Sequence, residues 1–202
     1  HNHNAVFRNK ISVSDVMNSK KYVEPIKMLD CSYICNGASA ILLTNEEEAK
    51  RYTDRPVWIE GIGSSTEGAS FSNVSSDLSC IRSTATASSM AFSMTDIGPE
   101  QIDVVELHDA FTIMEILAYE DLGFCQKGKG GRFVSENNLT TNPRGGLIGA
   151  GHPLGATGVA QTVEICEQLN GLAEKRQVKD CKIGLVHNMS AAGSSAMVLI
   201  LS

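Results

Sequence analysis

The chain has no apolar run long enough to cross a bilayer. Its longest, Ala196-Met197-Val198-Leu199-Ile200-Leu201, has six residues, where a spanning helix needs about 20. It also lacks a basic start followed by an apolar stretch, so a soluble, cytoplasmic protein is expected rather than a secreted or membrane-spanning one. Basic charge is in deficit, with 17 Lys and Arg against 23 Asp and Glu and a net charge of −6. This disfavours a broad phosphate-binding surface, and no nucleic-acid partner is expected. A local group, Lys127, Lys129 and Arg132, still suits one anionic head group. Metal-ligand spacing is missing too. Cys31 and Cys35 have three residues between them, with no paired CxxC and no His-x3-His, so no metal site is expected. The six cysteines, Cys31, Cys35, Cys80, Cys125, Cys166 and Cys181, are spaced too irregularly for a disulfide scaffold and read as reduced thiols.

What remains is ordinary globular composition, 42% apolar against 20% charged, which excludes disordered and fibrous classes. At 202 residues the chain fits one large domain or a domain with a partial neighbour. His1-Asn2-His3-Asn4 has the look of a tag, and no chemistry is assigned to it. Residues 1–29 show only a short polar helix at Ser14-Asp15-Val16-Met17. Small and branched residues from Gly37 to Leu43 suggest a packed strand before a charged helix, Asn45 to Tyr52.

After Pro56 the pattern becomes regular. Strands are expected at Val57–Ile62, Val104–Leu107, Lys182–His187 and Ala196–Leu201, with helices near Ser79–Met94, Phe111–Leu122 and Ala156–Leu169. The last helix shows a stripe of Ala156, Val159, Ala160, Val163 and Cys166. Between Gly123 and Gly155 lies a glycine-rich stretch, far longer than an ordinary connection. The terminal strand is apolar at consecutive positions, which implies an α/β fold with its sheet sandwiched between helical layers.

Three positions stand out for chemistry. His108 follows Val104-Val105-Glu106-Leu107 at the carboxyl end of a strand, where ligands bind in open α/β sheets. The local alternative is a helix start capped by Asp109. His152 lies in Gly151-His152-Pro153-Leu154-Gly155-Ala156-Thr157-Gly158, where proline holds the preceding residue extended and the imidazole suits a general base. A structural histidine is its alternative. Asn188 ends a strand before a turn of small residues whose N–H groups suit an oxyanion. Alternation sends His187 to the opposite face.

His108-Asp109-Ala110-Phe111, Gly151 to Gly158, and Asn188-Met189-Ser190 resemble the thiolase superfamily in order and spacing. Leu29-Asp30-Cys31 through Ala40, Tyr119 to Cys125 and Asn142-Pro143-Arg144-Gly145-Gly146-Leu147 extend the resemblance over nearly all of the chain. It is strongest toward archaeal acetyl-CoA acetyltransferases and sterol-carrier-protein-X-type thiolases, also called lipid-transfer proteins, which begin the first motif His-Asp rather than Asn-Glu.

The resemblance implies the carboxyl-terminal half of a layered αβαβα thiolase-like fold. Residues 1–29 then belong to a substrate-covering loop region, 30–54 end the amino-terminal domain and 56–202 form the carboxyl-terminal domain. It implies acyl transfer between acyl-CoA and coenzyme A, as acetyl-CoA C-acetyltransferase or β-ketoacyl-CoA thiolase, through a cysteine thioester whose nucleophile lies outside this chain. His152 would take the thiol proton and then join an oxyanion hole. His108 stands where typical thiolases hold an oxyanion-hole water with asparagine, and its titratable ring offers a proton-transfer role. Phe111 would wall the acyl pocket, Gly151 and Pro153 would line the substrate beside His152, and the Ser190 N–H would serve a second oxyanion. Asn188 replaces a second, acid/base cysteine, and an amide cannot exchange a proton near neutrality. A retro-aldol lyase on acyl-CoA and a non-catalytic acyl-CoA or lipid-binding scaffold are therefore the alternatives. Coenzyme A would be substrate rather than resident cofactor. The partners implied are the missing amino-terminal half or a partner chain, in a homodimer or homotetramer.

Overall fold

The computed structural model describes residues 2–68, 77–136 and 139–202. Two short polar helices open the chain, each set by its caps. Helix α1 (Val13–Asn18) starts on a capping box of Ser12 and Asp15. Helix α2 (Glu46–Tyr52) starts where Asn45 accepts from the Glu48 N–H. It places Glu46, Glu47 and Glu48 in its first turn and Lys50 and Arg51 in its last, matching the helix dipole. Between them lies a small hairpin, β1 (Lys21–Val23) and β2 (Ile26–Lys27), that the sequence did not announce. The strand expected over Gly37–Leu43 is not formed. That segment is non-regular, with Leu42 and Leu43 exposed at 78% and 70%, because no described strand lies alongside to accept its backbone bonds.

The body is a five-stranded mixed sheet in the order β3-β7-β6-β4-β5. Its strands are β3 (Ile59–Thr66), β4 (Val104–Glu106), β5 (Thr140–Thr141), β6 (Gly184–Met189) and β7 (Ser195–Leu201). β4 runs parallel to both β5 and β6, and β7 is antiparallel to β6 and β3. Alternation sorts the side chains onto two faces. On one, helices α3 (Arg82–Ser93) and α4 (Thr112–Asp121) pack Ala87, Ala91, Ala118 and Tyr119 against Val105, Leu107, Leu185, Val198 and Ile200. On the other, helix α7 (Thr157–Leu169) packs Ile165 against Val104, Val186 and Leu201. The sheet is therefore covered on both faces, although Met197 of β7 remains 46% exposed.

Two expectations need correction. Outside residues 137 and 138, which lie beyond the described residues, the glycine-rich stretch is not one loop. It holds α5 (Gly130–Glu136), β5 and α6 (Gly146–Ala150), short elements whose glycines hid their periodicity. The apolar stripe of α7 is also not its deepest face. Thr157, Gln161, Thr162, Glu164, Ile165 and Gln168 are the buried residues. Polar groups are tolerated there because they are paired: Gln168 donates to Glu164 at 3.0 Å, and the Arg176 guanidinium pairs with Glu164 at 3.0 Å. No helix among the described residues is long and apolar enough to cross a membrane.

Candidate active site

The sheet brings the first two site residues together. β4 and β6 run in parallel register with Glu106 opposite Val186, so His108 and Asn188, two residues further on, fall on the same face. The Asn188 Nδ2 lies 3.0 Å from His108 Nδ1 and donates to Gln161 Oε1 at 2.8 Å. Gln161 Nε2 in turn donates to the His187 carbonyl at 3.2 Å. The His187 side chain points the other way, as alternation requires, with its Nε2 3.0 Å from the Thr84 hydroxyl of α3.

His152 arrives from a different element. Helix α6 ends at Gly151, whose φ of +103° turns the chain. A Cβ at this glycine would stand 2.8 Å from both Cys35 Sγ and Val6 Cγ2, so alanine here is strained by its φ and forces those side chains to shift. The backbone of His152 is held by the amino-terminal segment: its N–H donates to the Tyr33 carbonyl at 2.7 Å, and the Cys35 N–H reaches the His152 carbonyl at 3.4 Å. The same segment grips the other loop, where the Ser32 N–H donates to the Ala110 carbonyl at 2.9 Å and Cys31 bridges Phe111. Residues 31–35 thus tie the two histidine-bearing loops to each other.

The imidazoles of His108 and His152 meet edge to face, with ring centroids 5.1 Å apart and planes at 87°. Burial, and then the neighbouring His152, push His108 down to about 4; burial also lowers His152. Both rings are therefore neutral at pH 7. His152 Nδ1 lies 2.8 Å from Thr157 Oγ1, and that hydroxyl donates its single proton to the Pro153 carbonyl at 3.1 Å. With the hydroxyl directed to Pro153 the ring nitrogen is the donor, and Nε2 then carries a free lone pair, the form a general base needs.

Asp109 does not cap its own helix, whose N-cap is Phe111. It accepts instead from the Leu147 N–H at 2.6 Å and so anchors the start of α6. Burial first, against the backbone N–H groups it accepts from, raises its carboxyl to about 6. The fit requires glycine at 146, where φ is +61° and a Cβ would stand 2.1 Å from the Asp109 carboxylate. Asn142 braces the end of β4 by accepting from the Leu107 N–H at 2.7 Å. Thr157, Asn142 and residues 31–35 lie in motif segments of the sequence, but no role there pointed to them, and Gln161 was in no motif, because its partners lie 26 and 27 positions away.

Of the remaining expected residues, Gly151 and Pro153 flank His152, and Phe111 stands 40% exposed at the start of α4. Ser190 lies two residues beyond Asn188, with its hydroxyl 3.0 Å from that of Ser194 and accepting from the Ser195 N–H. The group expected to suit an anion is largely engaged already. Lys127 pairs with Asp121 and Arg132 with Glu136, because carboxylates lie within reach on the same or neighbouring turns. Among the described residues no group of three or more His, Cys, Asp or Glu is arranged to hold a metal ion. All six cysteines are free, and burial raises the thiols of Cys31, Cys80, Cys125, Cys166 and Cys181. None of these five is prepared as a thiolate.

Two imidazoles, one beyond the end of β4 and one just after α6, thus meet at a doubly covered mixed sheet, and comparison with known proteins assigns this fold to a family. The chain belongs to the thiolase C-terminal domain-like family, whose model matches residues 63–202. It is 42% identical to the acetyl-CoA acetyltransferase of Methanothermobacter thermautotrophicus, over 100% of this chain and 54% of that protein. It is 36% identical to sterol carrier protein 2 of Oryctolagus cuniculus, over 96% of this chain and 37% of that protein. The chain therefore spans about half, or less, of the length of these relatives. Two solved structures share the fold. An Ltp2-ChsH2(DUF35) aldolase superimposes with a TM-score of 0.78 at 23% identity, covering 95% of this chain and 51% of that one. The Bacillus anthracis acetyl-CoA acetyltransferase does so with a TM-score of 0.70 at 19% identity, covering 96% and 43%.

Proposed function

We propose that this chain forms the carboxyl-terminal half of an acyl-CoA acyltransferase, an acetyl-CoA C-acetyltransferase or β-ketoacyl-CoA thiolase, acting in the cytoplasm. In this reading residues 1–29 belong to the substrate-covering region, 30–54 end the amino-terminal domain and 56–202 form the carboxyl-terminal one. The nucleophilic cysteine comes from outside these 202 residues. The observation that carries the reading is the pair of neutral imidazoles, 5.1 Å apart, with a lone pair on Nε2 of His152. That nitrogen takes the proton of the cysteine thiol. The thiolate then attacks the acyl-CoA carbonyl, the C–S bond to coenzyme A breaks, and the departing thiolate of coenzyme A recovers the proton from His152. His108, neutral at pH 7, acts as an N–H donor to the carbonyl oxygen rather than as an acid. Phe111 walls the acyl group, and Gly151 and Pro153 line the substrate; the Ser190 N–H, expected to serve a second oxyanion, instead donates to the Ser195 carbonyl at 2.9 Å, because the turn closes on itself. Coenzyme A is a substrate, and the assembly is a homodimer or homotetramer.

One observation favours a second reading. The Asn188 amide, bound between His108 and Gln161, has no proton to exchange where condensation needs one. A retro-aldol lyase acting on a β-hydroxyacyl-CoA needs no thiol at that position. Product analysis separates the two, since thiolysis releases acetyl-CoA and a shortened acyl-CoA whereas the lyase releases a free carbonyl compound. The test is thiolysis of acetoacetyl-CoA by the natural full-length gene product. His152→Ala is expected to lower kcat/KM by about 10²- to 10⁴-fold, and the 202-residue chain alone is expected to be inactive. Full activity of His152→Ala removes His152 as the base, and full activity of the 202-residue chain alone overturns the placing of the nucleophile outside it. A full-length protein that binds acyl-CoA and releases no product marks a scaffold.

A further inference from the structure

We propose that Gln161 is a positioning residue: its carboxamide aims the Asn188 amide at Nδ1 of His108 and so keeps the His108 proton on Nε2. The inference rests on the acyl-transfer site described above and adds how that site sets its protons.

The chain of hydrogen bonds has one fixed end. The His187 carbonyl can only accept, so the Gln161 group within 3.2 Å of it is the NH2. The Gln161 oxygen is then the atom facing Asn188, and the Asn188 group 2.8 Å from it must also be an NH2. That same NH2 lies 3.0 Å from His108 Nδ1. A neutral imidazole has one protonated and one bare nitrogen, and a nitrogen met by a donor is the bare one. The proton of His108 is therefore on Nε2. Neither amide can be flipped without setting two donors, or two acceptors, against each other.

Thr157 and Gln161 stand one turn apart on α7, both fully buried, so they share a face. Thr157 leaves His152 with a bare Nε2, and Gln161, through Asn188, leaves His108 with a protonated one. One helix face thus makes one ring a base and the other a donor, although the side chains are chemically alike. Gln161 touches neither imidazole. Its effect passes through Asn188.

The experiment is 15N magic-angle-spinning NMR of the histidine-labelled full-length protein, alongside steady-state kinetics. The rings of His108 and His152 are assigned by single substitution. The expected result is a bare Nδ1 and protonated Nε2 for His108, with the reverse for His152. Gln161→Leu should give a mixture of tautomers at His108, leave His152 unchanged, and lower kcat by about tenfold or more with little change in KM. Asn188→Asp presents only acceptors to the ring and should move the His108 proton to Nδ1; because Asn188 is only half-buried, this variant tests the relay even if leucine disturbs the helix. A His108 tautomer unchanged in both variants, or a protonated Nδ1 in the unsubstituted protein, overturns the proposal. The NMR signature needs no turnover. A protein with the expected tautomers but no thiolase activity upholds the relay and fails only the acyl-transfer reading.

Discussion

Residues 2–54 and residues 57–202 carry similar kinds of side chain and put them to opposite use. Among the described residues, only Ala5 and Ala49 of the first region are buried apolar side chains, and all the others belong to the second. Yet the sparse region holds the site together. Backbone groups of residues 31–35 bond to Ala110 and His152, and Cys31 bridges Phe111. Burial and positioning are thus separable. A segment that contributes little apolar burial can still fix the backbone of a candidate site, because hydrogen bonds specify direction where apolar contact specifies only proximity.

Three measurements sharpen or break this contrast. The largest effect is expected in the sheet core, where Leu185 is fully buried. Leu185→Ala should cost about 2–5 kcal/mol by denaturant unfolding, and a cost as small as that of a surface change would show that the body is not one packed unit.

The next effect appears as a pH dependence. Glu106 lies fully buried on the α7 face of β4, with Arg144 Nε 3.7 Å from its carboxylate. Burial outweighs that neighbour and pushes the carboxyl up to about 8 from its ordinary 4.5. The folded state then holds a proton that the unfolded state has released. Its stabilising effect is full below about 4.5 and is lost as pH rises toward 8. Glu106→Gln, which keeps the shape of the protonated acid, should gain stability relative to the unsubstituted chain as pH rises through that window. Parallel stability curves for the two proteins would contradict the burial of an unionised Glu106.

The smallest effect belongs to the exposed region. Leu42→Ala, at a side chain 78% exposed, should change the stability of the 202-residue chain by less than about 0.5 kcal/mol. If the proposed amino-terminal half packs on this segment in a longer gene product, the cost there should rise toward that of a core leucine. Equal, small costs in both settings would remove Leu42 from any such interface.

Apolar periodicity failed at α7 for an instructive reason. The stripe of Val159, Ala160, Val163 and Cys166 is only half-buried, while Thr157, Gln161, Glu164 and Gln168 face inward. A helix that lines a site is polar toward the interior wherever its polar groups find partners, and no periodicity reveals those partners. Gly37–Leu43 failed in the opposite way, since it has the composition of a buried strand but no neighbour among the described residues to pair with.

The sequence by itself determined the family, four of the five strands of the main sheet and the placing of His108, His152 and Asn188 at element ends. Those features depend on local chemistry: what proline, glycine, capping residues and alternating side chains do to nearby backbone. Only the tertiary structure decided that His108 sits beside Asn188, that Asp109 serves α6 instead of α4, and that Thr157 and Gln161 orient two rings differently. Strand register and side-chain partnership across 26 to 80 positions depend on which surfaces meet in space, and no local pattern encodes that meeting.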